Sequence, residues 1–481
     1  MTAAERATLE QLQHENQALR AQVAVQEPTI HDLLEQLRQL QEQLDEQVRA
    51  EARQAAPFRR RERLKVPAER KKRPGRPKGD PGADRSVPDH VDEQAEVPLT
   101  GCPYCGGPLA AVEAVEQFIE DLPPSRPHVT RLVTSKGTCP RCGEVKSTHP
   151  LQMSEATGAA KVQLGPRAVA LAAFLNKPVG STTRTTCTIL EQLGGLRLTP
   201  GGLCQALQRA AAKFASIYDQ LIADLRHAAA VFADETSWYV GQPGYWLWDF
   251  VSATTTIYVV DPHRGHEIPL RILGADFAGM LVSDCLSSYD PLPYRKHKCV
   301  GHHQKAIAEA RARPDTPDPG YLRQWTLLFT MVCVLWRHRA TLGEAEFVRQ
   351  RTHLEAWCDG LLSEPRAQPG DVAIQERLRK QRESLFGCLY EPAAEPTNNR
   401  AERTFRWAVI ARKLSCGNKT EAGKRCFEVL ASVARTCMQR GQDVVSYLAK
   451  FLPMDATPEP IPAPAGVSLP SQTAGPHERA P

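Results

Sequence analysis

From about residue 230 the chain changes its apolar rhythm. Short runs rich in β-branched and aromatic residues fall at 230–233, 245–251 and 255–260, and a fourth follows at 280–283. Glycines at 241 and 244 supply the first turn, and residues 252–254 the second. Three strands in a meander, a crossover, one more strand and then a helical stretch over about 303–390 make an α/β domain. That succession suits a ribonuclease H-like core spanning 229–452, interrupted by a helical insertion.

Two of these strands deliver carboxylates. Asp234 lies in AVFADETSWYV and Asp284 in GMLVSDCLSSYD, each expected at the end of its apolar run. A third acid, Glu402, lies in PTNNRAERTFRWAVIARK, where Asn398 and Glu402 are four apart and share a face if the segment is helical. Hard oxygen ligands held rigidly at strand ends suit Mg²⁺ or Mn²⁺. A pair of such ions can clamp the attacking and leaving oxygens of a phosphodiester. Glu235 adjoins Asp234 but points to the other face of its strand. Asp249, Asp261 and Asp290 are rival carboxylates; Asp284 is preferred because an apolar strand carries it, whereas Asp290 precedes Pro291 in a loop. Arg403, Arg406, Arg412 and Lys413 flank Glu402 and are candidate phosphate contacts.

The chain of 481 residues is long enough for several domains, and its N-terminal part reads differently. Residues 5–50 keep two seven-residue series in register, Leu9, Asn16, Val23, Ile30, Leu37, Leu44 and Leu12, Leu19, Gln26, Leu33, Leu40, Gln47. Such a seam predicts a coiled-coil zipper and a homodimer or higher assembly, with a kink at Pro28; a single amphipathic helix on its own protein is the alternative. Residues 57–95 form a basic Gly/Pro-rich arm. Within 58–78, eleven Lys/Arg face Glu62 and Glu69, a net +9 against +5 for the whole chain. Lys71, Lys72, Arg73, Arg76 and Lys78 are the candidate contacts to a polyanion, through phosphates or the narrow minor groove, and a solvated linker is the competing reading.

Residues 98–150 carry Cys102-Pro-Tyr-Cys105 and Cys139-Pro-Arg-Cys142, separated by 33 residues. Two thiolate pairs at this spacing predict a structural Zn²⁺ ribbon, with a strand at 128–133 between them. Residues 160–228 look helical, either a DNA-reading helix–turn–helix or a scaffold beneath the core. Thr199-Pro200 marks one helix start. Cys299 and His302 could begin a second zinc site, but without another pair a buried thiol and a hydrogen-bonded imidazole are the better reading. Eight prolines in 453–481 predict a disordered tail with little to bury. No run of 18 apolar residues and no apolar leader is present, so the expected compartment is the cytoplasm.

The order of these motifs over about 5–452 resembles the insertion sequence 66 family of transposases, of the DDE class. The resemblance rests on the zipper, the basic arm, the double CxxC, the Ala-Asp-Glu-Thr strand, the Ser-Asp-x-x-x-x-Tyr strand, Cys-x-x-His and Asn-Asn-x-x-Glu-Arg. It implies that Asp234, Asp284 and Glu402 are a metal-binding catalytic triad that cuts element ends and joins the 3′-hydroxyls to target double-stranded DNA. It also implies accessory proteins of the same element as partners. Two other functions compete: a zinc-containing DNA-binding regulator without catalysis, and a nuclease of the same fold.

Overall fold

The computed structural model describes residues 86–110, 112–122, 125–153, 162–312 and 319–464. The expected zipper and residues 57–85 of the basic arm, including Lys71, Lys72, Arg73, Arg76 and Lys78, lie outside them. The chain divides into two units, Met1–Glu120 and Asp121–Pro481. In the first, the Cys102 N–H donates to Gly107 O (2.9 Å) and the Gly106 N–H to Cys102 O (2.8 Å), closing a tight turn.

The second unit begins with an antiparallel hairpin, β1 (Lys136–Cys139) and β2 (Gly143–Lys146), with Cys139 opposite Gly143. The strand expected at 128–133 is absent; its β-branched residues have no pairing partner, and the pairing is made locally across the Cys139–Cys142 turn instead. Four helices follow: α1 (Pro166–Asn176), α2 (Thr183–Gly194), α3 (Pro200–Lys213) and α4 (Ala215–Arg226). Thr199 caps α3 by accepting from the Gly202 N–H (3.1 Å).

The main sheet comprises β3 (Ala230–Val240), β4 (Gln242–Val251), β5 (Thr256–Asp261), β6 (Met280–Ser283) and β7 (Arg295–Lys298), in the order β5-β4-β3-β6-β7. The first three form an antiparallel meander, and β6 and β7 run parallel to β3. A short helix, α5 (Glu267–Leu273), lies in the crossover from β5 to β6. The fifth strand was not expected, because Arg-Lys-His-Lys reads as a charged loop. It pairs through backbone alone, and its two buried side chains find polar partners: His297 Nε2 meets Pro396 O (3.1 Å), and Lys298 pairs with Asp290 (3.1 Å). Asp234 also sits differently from expectation, inside the long strand β3 rather than at its end.

Beyond β7 come α6 (Val300–Arg311), α7 (Pro319–Arg337), α8 (Glu344–Ser363), α9 (Pro369–Lys380) and α10 (Gly387–Tyr390). Then follow α11 (Asn399–Ser415), α12 (Glu421–Gln439) and α13 (Val444–Phe451). Among the described residues no helix is long and apolar enough to cross a membrane.

Alternation along the strands separates the two largest of three cores. Val231, Ala233, Trp248, Phe250, Ile257, Val259 and Leu281 pack with α1–α5, α12 and α13. Ala230, Phe232, Val251, Met280 and Val282 pack with α6–α10 and Ala401 of α11. Residues 166–226 therefore bury their apolar faces in the same core as the sheet, as a scaffold does. The edge strand β5 is closed by α12: the N–H groups of Thr256, Tyr258 and Val260 donate to Thr436 Oγ1 (3.1 Å), Ser432 Oγ (2.9 Å) and Glu428 Oε1 (2.8 Å). Two strand residues advance about 6.6 Å and four helical residues about 6 Å, so these rungs match.

The expectation of a tail with little to bury from residue 453 is corrected for its first part. Ile461 is buried in the larger core, Arg440 Nη1 donates to Ile461 O (2.7 Å), and Lys213 Nζ donates to Met454 O (2.7 Å). A single apolar side chain and backbone carbonyls suffice to anchor a proline-rich strap, which composition does not disclose. Residues 465–481 lie outside the described residues.

Candidate active site

Asp234 is even-numbered along β3, with Phe232 on its face, and so looks towards the second core. Ser283 is in register with Ala233, which sets Asp284 beside Asp234 on the neighbouring parallel strand and on the same face. Antiparallel pairing places Asp249 directly across from Asp234. Asp284 is held by its own turn, Oδ1 accepting from the Leu286 N–H (2.8 Å). Lys298 steadies that turn from below, bonding Leu286 O (3.3 Å) while pairing with Asp290.

Glu402 reaches the same neighbourhood because α11 is fastened to β3 at both ends. At its start, buried Asn398 donates through Nδ2 to Ala233 O (2.9 Å), one residue before Asp234, and Glu402 follows one turn later. The Asn398 N–H also meets the buried Cys299 thiol (3.2 Å), and the Val300 N–H donates to Pro396 O (2.9 Å), so the entry to the helix is fixed from β7. At its end the chain turns left-handed through Cys416 and Gly417. A Cβ on Gly417 would lie 2.6 Å from Tyr239 O, so only glycine allows this approach. The Asn418 N–H then donates to Tyr239 O (2.9 Å), and Trp238 Nε1 to Asn418 Oδ1 (2.8 Å).

The electrostatics match this convergence. Burial, then the charges of Glu235 and Asp284, and at longer reach Glu402, push the Asp234 carboxyl up to about 8. Burial and then the charge of Asp234 hold Asp249 well above the usual carboxylate range. Asp249 Oδ2 contacts Thr404 Oγ1 of α11, which itself donates to Ala401 O (2.7 Å), and Asp249 Oδ1 is buried without a partner. The single hydroxyl proton of Thr404 cannot serve both acceptors, so the contact fits a protonated Asp249. Asn398 Oδ1 is likewise buried without a partner.

Glu235, on the opposite face, is internally compensated. Arg264 Nη2 and Nε reach its Oε1 (2.8 and 3.2 Å), and Tyr289 Oη donates to its Oε2 (2.8 Å). The Arg264 guanidinium stacks on Trp246, 4.3 Å from the ring centre. Of the other rivals, Asp261 is paired with Arg271 (2.9 Å) and with His263 (3.0 Å), and Asp290 with Lys298. The sequence treats Asp249 only as a competitor; a lone acid in the apolar run Trp246–Val251 was the signal that it belongs to the site. The parts played by Asn398, Thr404, Arg264, Tyr289 and Lys298 depend on tertiary pairing and leave no local sign.

Among the described residues no group of three or more His, Cys, Asp or Glu side chains is arranged as it stands to hold a metal ion. The carboxylates share one electrostatic neighbourhood without closing into a cage. Their chemistry fits a divalent cation nonetheless: hard oxygens only, mutually repelling, with buried oxygens left unpartnered.

The candidate DNA contacts divide. Arg403, Arg406 and Lys413 are exposed on α11. Arg412 is committed within the molecule, donating to Ser237 Oγ (2.9 Å), Thr236 Oγ1 (3.2 Å) and Ser237 O, and so ties α11 to β3. Its expected phosphate contact is replaced by this structural one. His302 has its Nδ1 buried without a partner. Within the first unit, the backbone N–H groups of Tyr104 and Cys105, then the Cys105 thiol, draw Cys102 below the usual thiol range. Within the second, the N–H groups of Arg141 and Cys142, then the Cys142 thiol, do the same for Cys139.

Comparison with known proteins places the chain in a family. An uncharacterized protein, y4qI, of Sinorhizobium fredii is 25% identical over 266 residues, which is 49% of this chain and 49% of that protein. The chain thus spans about half the length of this curated relative. The family model described as "Transposase IS66 family" matches residues 161–425, more than half of the chain, from α1 through α11 and into α12. The chain belongs to the IS66 family of transposases.

Proposed function

We propose that the chain is a DNA transposase that cleaves the ends of an insertion element and joins the freed 3′-hydroxyls to target DNA. What supports this reading is the pairing that sets Asp284 beside Asp234 on parallel strands, with Asp234 pushed up by burial and then by the charges around it, Asp284 and Glu402 among them. The strand order and the two covered faces are consistent with a ribonuclease H-like core.

Asp234, Asp284 and Glu402 would hold Mg²⁺ or Mn²⁺, which when bound stabilises charge on the attacking and leaving oxygens of a phosphodiester. The chain's own residues do the positioning. Asn398 fixes the start of α11 on β3, Leu286 and Lys298 set the Asp284 turn, and Thr404 seats α11 on Asp249. Arg403, Arg406 and Lys413 on the exposed side of α11 suit phosphates of an approaching duplex. The basic arm adds sequence-independent attraction. Structural Zn²⁺ remains part of the proposal, on the chemistry of the two thiolate pairs, as does assembly through the N-terminal zipper.

The test supplies a pre-cut 3′-end with a plasmid target and Mg²⁺. Joined product supports transposition, and nicks alone would assign a nuclease. DNA binding with neither product, unchanged in Asp234→Asn, would assign a regulator.

A further inference from the structure

Helix α11 opens at the edge of the carboxylate face, and the residue in front of it does not behave as a cap. Asn398 is fully buried. An asparagine at this position ordinarily accepts a hydrogen bond from an amide of its own first turn, yet the Asn398 side chain accepts none there. It is spent on the sheet instead, with Nδ2 donating to Ala233 O of β3 (2.9 Å). Its backbone N–H meets Cys299 Sγ, just beyond β7 (3.2 Å).

These two anchors fix where the side chain lies. β6 runs between β3 and β7, and its last residue, Ser283, is in register with Ala233 on one side and Lys298 on the other. The Cys299 N–H donates to Ser283 O (2.9 Å). Ala233 and Cys299 are thus about two strand spacings apart, on the order of 10 Å, with the end of β6 between them. One asparagine and two hydrogen bonds bridge that gap, so Asn398 lies across the point at which Asp284 leaves β6. Asp234 directly follows the carbonyl that Asn398 holds.

The amide has one orientation. Ala233 O can only accept, so the nitrogen faces it and Oδ1 is left as an acceptor. That oxygen is buried, and among the described residues it has no hydrogen-bond partner. The carboxylates of Asp234 and Asp284, when ionised, have no proton to offer it. A hard divalent cation does satisfy such an oxygen, since carbonyl and carboxylate oxygens together are its matching donors.

We propose that Asn398 is a further metal ligand of this site, its Oδ1 joining Asp234, Asp284 and Glu402 around the divalent cation. The inference rests on the reading that those carboxylates hold a metal, and it adds a neutral oxygen to a set otherwise made of charges. One side chain then does two things: its nitrogen ties α11 to β3, and its oxygen serves the cation.

The experiment measures Mn²⁺ uptake by the full chain without DNA, from the loss of the free-ion electron paramagnetic resonance signal, so no strand need be cut. Asn398→Ala should weaken Mn²⁺ binding by about tenfold or more. Asn398→Asp also loses the bond to Ala233 O but keeps an oxygen in place, and should bind Mn²⁺ at least as tightly as wild type. Unchanged binding in Asn398→Ala overturns the inference. Equal weakening in the Ala and Asp variants does so too, leaving Asn398 with only the seating of α11. If Asn398→Asp does not fold, Asn398→Cys takes its place. A thiolate in the site should raise the preference for Cd²⁺ over Mn²⁺ above that of wild type, and an unchanged preference overturns the inference. Uptake lost in Asp234→Asn but kept in Asn398→Ala removes Asn398 alone. Uptake identical in wild type and Asp234→Asn brings down the carboxylate reading and this inference with it.

Discussion

Asp234 and Glu235 are neighbours on one strand, both largely buried, yet the protein treats them in opposite ways. Glu235 faces the larger core, where burial pushes its carboxyl up and an arginine and a tyrosine offset part of that push. Asp234 faces α11 and the helical segment, where its neighbours are Asp249, Asp284 and, farther off, Glu402. On the proposed function, a fold that pairs a carboxylate on one side of a strand and does not do so on the other leaves the second for a cation from outside. Read that way, the difference separates a structural acid from a working one more sharply than burial, which the two share.

The hardest test of the contrast is catalytic. Asp234→Asn should lower strand cleavage and joining on the order of 10³-fold in Mg²⁺, with thermal stability in chelator near neutral pH unchanged or raised, because it removes a carboxyl that the fold must hold protonated. A variant that unfolds would make Asp234 structural like its neighbour. Arg264→Met addresses the other face. It leaves Glu235 with Tyr289 alone, and because the Arg264 side chain is 42% exposed, water softens the loss to about 1–3 kcal/mol, below the figure for a fully buried pair. Chemical denaturation should show that deficit. Equal loss of activity at full saturation with DNA would move Glu235 into the reacting site.

Titration sharpens the same comparison. The folded protein holds the Asp234 proton up to about 8, whereas the unfolded chain releases it near the ordinary carboxylate value, about 4. Between these limits the native state binds more protons, so this group's contribution to stability is full below about pH 4. It declines by at most about 1.4 kcal/mol per pH unit until lost above about 8. In chelator, wild type minus Asp234→Asn should therefore show stability falling as pH rises through that window, and Mg²⁺ should reverse the trend most at high pH. A flat difference would mean that Asp234 is already compensated.

The strands of the main sheet were largely readable from sequence. The meander and Met280–Ser283 announce themselves by alternation and length, and strand and helix context marks Asp234, Asp284 and Glu402 as candidates. Less legible were features set by distant pairing. β7 is written in charges because its side chains are satisfied by Asp290 and Pro396, far from any apolar pattern. Arg412 reads as a DNA contact because nothing local reveals that Ser237 lies beneath it. Ile461 anchors a segment whose prolines speak only for an extended backbone. Sequence patterns report which face is buried, and not which polar partner waits there.

Thr404 offers the smallest and most discriminating effect. It joins α11 to the carboxylate face by meeting Asp249 while donating to Ala401 O. Thr404→Val keeps the shape, removes the hydroxyl and leaves Asp249 with both oxygens unpartnered, at a cost of about 1–2 kcal/mol. If the Asp249 contact serves only to seat the helix, stability falls while the Mg²⁺ concentration giving half-maximal cleavage stays put. If it sets where Glu402 stands relative to Asp234, that midpoint rises several-fold and Thr404→Ser restores it. The second outcome is expected, because Ala401 and Thr404 bracket Glu402 on α11, and a helix shifted at this turn carries its carboxylate away from the strands.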